Sequence, residues 1–454
     1  ELVHTLTQKD PDVIEGHNCF PESTPILTPD GYTPIEDLSV GDEVVSTSSD
    51  GKLVTDRVTH TFVSPHEKDL VSLHATYRGE VTSTPDHPHF GYRSGAGIGY
   101  HSAQDFEKGD YLAVPQAEID PESLELDDRL YLAGLVFADG HLSKATNRIT
   151  FGNTDEGLVQ WVANQVGGKG TIRRRRGNAR HADLYRLRTH DATTHSWLRS
   201  LGVPQGNKSS VNAPVTFECV VRHGPSAVAS FLAGLIDGDG HISEANGHVQ
   251  IAIGSERGRR AIHALAQHIG LVTSDNQSGV IFWPTARTKP VLKRILSWLR
   301  AESKQDLDPD TKTRRPDELP FTVIEKVRPF IRRLGIQYAD FPIPRTTLNY
   351  YLNGRTSINR ATFSAIRSTV DDYIARTSAD DLQSAWASTK EELREIESYH
   401  WFPIRRTEAV PSDGSVYNIE TGNHNYIASG VLTHNCFAFD LDYILDRCEM
   451  HGVE

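Results

Sequence analysis

The sequence predicts a mixed fold: an all-β domain, an α/β domain with internal pseudo-twofold symmetry inserted into it, and a small helical region. Three observations carry this. Residues 22–118 are short β-branched runs punctuated by Asp-Gly at 30–31 and 50–51 and by Gly-Asp at 41–42, turn signals between strands. LAGLVFADGHLS (132–143) recurs in register as LAGLIDGDGHIS (232–243). The β pattern then returns in VYNIETGNHNYIASGVLTHN (416–435), so one β domain is interrupted by about 280 residues.

Within the insertion each copy runs from an apolar helix into a strand, RITFGN (148–153) or HVQIAIGS (248–255). A second helix follows, EGLVQWVANQVGG (156–168) or RRAIHALAQHIG (259–270). The two apolar helices are the natural packing seam of a duplicated unit. Ala133, Gly134, Ala233 and Gly234 are small enough to let their backbones approach. Residues 303–398 are charged and helical by pattern. There PRTTLNYYLNGRTSINRATFSAIRS (344–368) places a Gly turn between two helical runs, which reads as a helix-turn-helix or as a plain connector.

Composition narrows the classes. A 37% hydrophobic share can fill several cores, and no apolar run reaches the roughly 18 residues a membrane span needs. The first 18 residues lack a basic region followed by an apolar run, so no signal peptide is expected. Four cysteines (19, 219, 436 and 448) make neither a disulfide framework nor a CxxC zinc pair, and the expectation is a reducing, cytoplasmic setting. A net charge of −13 argues against a globally basic nucleic-acid binder, though not against local patches. Together with a single Met, it fits a high-salt cytoplasm of the halophilic kind.

The run CFPESTPILTPDGYTPIEDLSVGDEV (19–44) resembles the start of an intein, and VYNIETGNHNYIASGVLTHNC resembles an intein's end. TSTPDHPHF (82–90) is similar to the internal Thr-x-x-His motif of that family, and HSAQDFEKGDYLAVP (101–115) to the segment after it. The duplicated LAGLxxxDG runs resemble a LAGLIDADG homing endonuclease, a common passenger of inteins. The resemblance covers about 19–435 and implies an all-β splicing (Hint) domain carrying an α/β pseudo-twofold LAGLIDADG domain.

The residues supply the chemistry that this implies. The Cys19 thiolate attacks the Asn18 carbonyl to give a thioester, since sulfur is both a strong nucleophile and a good leaving group. Cys436 takes over that acyl group, and the Asn435 side chain attacks its own carbonyl to cut the chain after 435. A final S-to-N shift leaves Asn18 joined to Cys436, with no cofactor needed for splicing. His87 is suited to protonate the leaving nitrogen, Thr84 to hydrogen-bond the same peptide, and His424 and His434 to assist Asn435. One departure stands out: Asn418 occupies a place where family members often carry an acid that helps time the steps. Asn425 receives no role, and Cys219 and Cys448 are read as structural.

In the insertion, Asp139 and Asp239 end the duplicated runs. Brought together by the pseudo-twofold, they are expected to bind Mg²⁺, for which hard oxygen donors are apt. Lys208 in GNKSS resembles the lysine this family places near its active site, whereas Asp237, unmatched by Phe137, receives no catalytic role. The expected contacts to double-stranded DNA are Arg173, Arg174, Arg175, Arg176, Arg180, Arg186 and Arg188 in the first copy. Arg257, Arg259 and Arg260 are expected from the second, which also offers Arg287, Lys289, Lys293 and Arg294. Alternating arginines suit a β-ribbon in a major groove.

Joining the flanks gives GHN-CFAFDLDY, which resembles the Asn-x-x-x-Phe-Asp motif in the proofreading exonuclease of archaeal family B DNA polymerases. That match puts Asn18 on the motif's Asn and Asp440 on its metal-binding acid. The expected organisation is therefore host flank 1–18, splicing domain 19–118 and 401–435, endonuclease 119–302, helical and possibly DNA-binding region 303–400, and host flank 436–454, in a monomer. Two alternatives stay open: a DNA-binding insert that does not cut, and a domain that cleaves itself without ligating.

Overall fold

The computed structural model describes residues 18–48, 51–76, 79–115, 117–167, 170–177, 182–206, 218–243, 247–276, 278–285, 287–305, 318–353, 357–412 and 414–435. The β domain is built from both ends of the chain. Strand Ser415–Thr421 lies between Phe20–Pro21 and Leu53–Pro65, and strand His400–Val410 pairs with Leu70–Ala75 and with Tyr111–Val114. The hairpin Asn425–Ala428 to Val431–His434 meets Ile26 on one side and His89 on the other. Ser429 and Gly430, both at positive φ (49° and 76°), make the tight turn that matches strand twist. Its core gathers Phe20, Ile26, Val44, Val58, Leu73, Phe402, Ile419 and Tyr426 from both segments, so neither can close the domain alone.

The insertion repeats one topology. Helix Asp128–Asp139 leads into a sheet ordered 140–142, 148–153, 184–190, 171–175. Helix Pro225–Asp239 leads into one ordered 240–242, 249–252, 279–283, 272–276. The two helices cross with their backbones touching. A Cβ on Gly134 would lie 2.0 Å from the Phe231 carbonyl oxygen, and one on Gly234 would lie 2.0 Å from that of Tyr131. The matching clashes express the pseudo-twofold, and only glycine fits such an approach.

Two sets of contacts bear on how the segments are joined. The short helix Glu302–Lys304 belongs to the insertion, because Lys304 Nζ donates to three carbonyls at the end of helix Pro225–Asp239. The helical region, with helices Thr322–Arg333, Arg345–Asn353, Arg360–Arg376 and Asp380–Ser398, shares a core with Phe90, Tyr111, Trp401 and Leu432 of the β domain. It is packed onto the β domain through that shared core.

The second copy also docks on the β domain. Ala264 packs with Leu27, Val45 and Ile427, Tyr32 donates to Gln267 Oε1 at 2.7 Å, and Arg222 pairs with Asp30. No helix among the described residues is long and apolar enough to cross a membrane.

Candidate active sites

At the first junction the peptide between Asn18 and Cys19 is held from two strands. Thr84 Oγ1 accepts from the Cys19 amide at 3.0 Å, and the Thr84 amide donates to the Cys19 carbonyl at 2.9 Å. The Asn418 side-chain amide donates to the Asn18 carbonyl oxygen. The Cys19 thiol is buried beside Leu70 and Val416. Asn18, with its amide nitrogen turned toward Asp86, donates to Oδ2 at 2.9 Å and to the Asp86 carbonyl at 3.2 Å.

His87 is fully buried. Its Nε2 lies 2.5 Å from Thr433 Oγ1, and its ring sits 4.2 Å from that of Phe20. Its Nδ1 has no hydrogen-bond partner among the described residues. Burial holds its pKa well below the ordinary histidine value, neighbouring His89 and His434 add to this, and the Asn18 backbone opposes it. The resting ring is therefore neutral, which corrects the simple picture of a ready acid. It has to take a proton before it can give one.

At the second junction Asn435 is buried. Its side-chain nitrogen faces His424 Nδ1 at 3.4 Å, and its carbonyl lies 3.0 Å from His434 Nδ1. His424 adopts φ +55° at the end of a turn closed by its amide on Thr421, a left-handed conformation that histidine tolerates better than most residues. One ring thus meets the side-chain nitrogen of Asn435 and the other meets its carbonyl. Burial lowers the His434 pKa, opposed by the Asn435 backbone. Asn425, given no role from sequence, is a buried tie: its Oδ1 accepts from Thr47 N at 2.8 Å and its Nδ2 donates to Thr47 O at 3.0 Å. Cys436, Asp440 and Cys448, and the side chain of Cys219, lie outside the described residues.

In the insertion, Asp139 and Asp239 end the paired helices, where a Cβ on Gly238 would meet Ala138 at 2.4 Å and Asp139 Oδ2 at 3.7 Å. Asp139 Oδ2 accepts from Asn153 Nδ2 at 2.6 Å, and Asp239 is exposed. Asp237, given no catalytic role from sequence, accepts from the Tyr131 hydroxyl and from the backbone of Arg300 (2.7 Å) and Ala301. Burial depresses the Lys304 pKa while Asp237, Asp139 and Asp239 raise it, so the ammonium stands within the field of both terminal acids. Sequence reading missed Lys304, although it follows Asp239 at about the spacing by which Lys208 follows Asp139. Lys208 lies outside the described residues. No cluster of three or more His, Cys, Asp or Glu that could hold a metal exists among the described residues. Carboxylates such as those of Asp139 and Asp239 are nonetheless donors of the kind Mg²⁺ takes, since it commonly binds one or two protein carboxylates and completes its shell with water and substrate phosphates.

The basic residues divide unevenly. On the first sheet Arg173 opposes Arg186 and Thr171 opposes Arg188, all exposed on one face, with Arg175 and Arg176 exposed beyond them. Like charges directly opposite are unfavourable unless a polyanion covers them. Arg174 instead pairs with Asp183. Arg180 and the side chain of Arg257 lie outside the described residues. The second copy does not repeat this face: its four strands contain no Lys or Arg. Several of its bases are used inside the fold. Arg259 donates to Gly254 O at 3.0 Å, Arg287 to Glu397 O at 2.7 Å, and Arg294 to Leu124 O at 3.0 Å. Arg260 is exposed on the helix layer, away from the sheet face.

A buried Cys and a buried Asn, linked through His87, which touches Phe20 beside the one and Thr433 near the other, in a β domain that a long insertion divides, define a self-processing type of site. The model of the intein splicing domain family matches residues 25–435, and the chain belongs to that family. Among curated proteins it is 25% identical over 315 residues to the replication factor C small subunit of Thermococcus kodakarensis, covering 68% of this chain and 33% of that protein. It is 22% identical over 319 residues to elongation factor 2 of Methanopyrus kandleri, covering 68% and 23%. The chain thus spans a third or less of these relatives. Among solved structures, a bacterial intein-like domain from Clostridium thermocellum is 26% identical, covering 21% of this chain and 67% of that one, with a TM-score of 0.19. Mesophilic variants of the homing endonuclease I-DmoI are 15% identical, covering 38% and 97%, at 0.27. The homing endonuclease I-WcaI bound to its DNA recognition sequence is 12% identical, covering 41% and 89%, at 0.29.

Proposed function

We propose that the chain excises residues 19–435 and joins Asn18 to Cys436, and that its insertion cuts double-stranded DNA at a specific site. The observation that carries splicing is the His87–Thr433 contact, which ties the motif beside the first junction to the strand that ends at the second. Neutral His87 takes the Cys19 proton as sulfur adds to the Asn18 carbonyl, then gives it to the departing Cys19 nitrogen. After Cys436 accepts the acyl group, His424 draws a proton from the Asn435 amide nitrogen while His434 polarises the carbonyl under attack.

For the insertion, Asp139 and Asp239 would hold Mg²⁺, which when bound would activate water and stabilise the leaving oxygen. Lys304 places positive charge beside them, and the arginine face of the first copy supplies phosphate contacts. The helical region adds a second candidate surface: Arg345, Thr346, Asn349 and Tyr350 face outward on helix Arg345–Asn353 while Leu348 and Leu352 are buried. The flanks are read as part of a family B DNA polymerase exonuclease. The curated relatives share this segment but bear names of unrelated function, which is what a mobile insertion would produce.

Full-length Cys19→Ala plus Asn435→Ala protein tests splicing by mass spectrometry: it should persist unspliced. A 417-residue product, 19–435, from that variant would overturn the assignment. Incubating the protein with Mg²⁺ and the duplex made by deleting codons 19–435 from its own gene separates cutting from mere binding.

A further inference from the structure

Antiparallel pairing sets Phe20 opposite Tyr417 and Pro21 opposite Val416, and continuing that register brings residue 418 to residue 19. Asn418 is 1% exposed. Its side-chain oxygen accepts from the Tyr426 hydroxyl at 2.7 Å and from the Ile419 amide at 2.7 Å. With both acceptor positions filled, the amide cannot flip without leaving two donors unmatched, so its N–H face is fixed toward the Asn18 carbonyl oxygen. On the other side, Thr84 holds the Cys19 amide. The peptide to be broken is therefore pinned at both its oxygen and its nitrogen.

We propose that Asn418 is a catalytic residue of the first acyl shift, donating a hydrogen bond to the oxyanion that forms on the Asn18 oxygen, with Tyr426 as its positioning residue. The proposal rests on the splicing reading. The Cys19 sulfur–carbon bond forms as the thiol proton passes to His87 and the carbonyl electron pair moves onto oxygen. The pair then returns, the carbon–nitrogen bond breaks, and the proton goes to the Cys19 nitrogen. Negative charge on the Asn18 oxygen exists only between these events, so a donor already aimed there stabilises the transition state more than the ground state. An ionised carboxylate at 418 would have no proton to offer and would repel the same charge. The amide donates at every pH, so the departure from the family's usual acid frees this step from the ionisation of that residue.

The test uses the full chain carrying Asn435→Ala, in which dithiothreitol releases residues 1–18 only after the Cys19 thioester has formed. Asn418→Ala should slow this release roughly a hundredfold, the scale of losing one oxyanion donor. Asn418→Asp should be slow at pH 8 and gain on the parent by about tenfold at pH 5, where its carboxyl becomes a donor again. Tyr426→Phe should show a smaller loss with no such pH signature. The far-ultraviolet circular dichroism of Asn418→Ala should match that of the parent, showing that the fold stands. If the parent releases the fragment and Asn418→Ala matches its rate, or if Asn418→Asp shows no gain over the parent at low pH, the proposal is overturned. A parent that releases nothing overturns the splicing reading itself.

Discussion

His87 Nε2 and Thr433 Oγ1 lie 2.5 Å apart although 346 positions separate them in sequence. The Thr433 hydroxyl also donates to the Pro88 carbonyl at 3.0 Å. With that proton committed, the hydroxyl oxygen is left to accept from His87, so the proton sits on Nε2 and Nδ1 is free to act as a base. The second segment of the β domain thus sets the tautomer of His87 in the first.

Removing that hydroxyl should loosen the ring. Thr433→Val is expected to slow thiol-induced release of residues 1–18 about fivefold in the Asn435→Ala chain, the scale of one net hydrogen bond of about 1 kcal/mol. His87→Ala should abolish the release. A Thr433→Val chain that cleaves at the parent rate would show that the contact does not orient the ring.

The helix seam admits no side chain. Gly134→Ala would force a methyl to 2.0 Å from the Phe231 carbonyl. A cost of about 1–3 kcal/mol or more is expected, confined to the insertion. Calorimetry should show that domain's transition shifted down while splicing continues. Splicing lost in parallel would mean that the two domains fold as one unit.

Asp139→Asn and Asp239→Asn, singly, should abolish cleavage of the intein-free duplex with Mg²⁺ while leaving DNA binding and splicing intact. Asp237→Asn should instead destabilise the insertion, because its carboxylate accepts from two backbone amides and the Tyr131 hydroxyl. Melting curves beside cleavage assays separate the two outcomes.

Charge on the first copy should dominate the salt dependence. Replacing Arg186 and Arg188 with Gln should lower the slope of log affinity against log salt by about 2, near one unit for each phosphate contact. Arg260→Gln should leave the slope unchanged, because the second copy presents its helix layer there and its strands carry no Lys or Arg. Filter binding across a salt series reads both.

Stability should fall with acidification. Burial lowers the His89 pKa to about 3 and the His268 pKa to about 4, and lowers His87 and His434 as well. The unfolded chain takes up these protons near pH 6.5 while the folded chain does not, so unfolding becomes easier as pH drops from about 6.5 toward 4. Each fully buried histidine contributes a slope of about 1.4 kcal/mol per pH unit. Urea melts at pH 7, 6 and 5 should show a steady loss, and a flat profile would contradict these burials.

The duplication, the turn-rich β segments and the junction residues were all legible in the chain, because each rests on local spacing. Cys19, His87, Asn435, Asp139 and Asp239 were nameable because the short motifs that hold them resemble those of inteins and LAGLIDADG endonucleases. What each residue touches was not. Arg287 and Arg294 read as DNA contacts until the fold turned them onto backbone carbonyls. Lys304 read as an anonymous charge until it reached the end of a helix begun about 80 residues earlier. Asn418 read as a departure from the pattern until strand register laid it against the Asn18 carbonyl. Sequence by itself determined which chemical groups exist and which local periods they obey. Only the tertiary structure decided their partners, because hydrogen bonding, burial and the pKa values that follow depend on atoms that strand register and helix packing bring together from opposite ends of the chain.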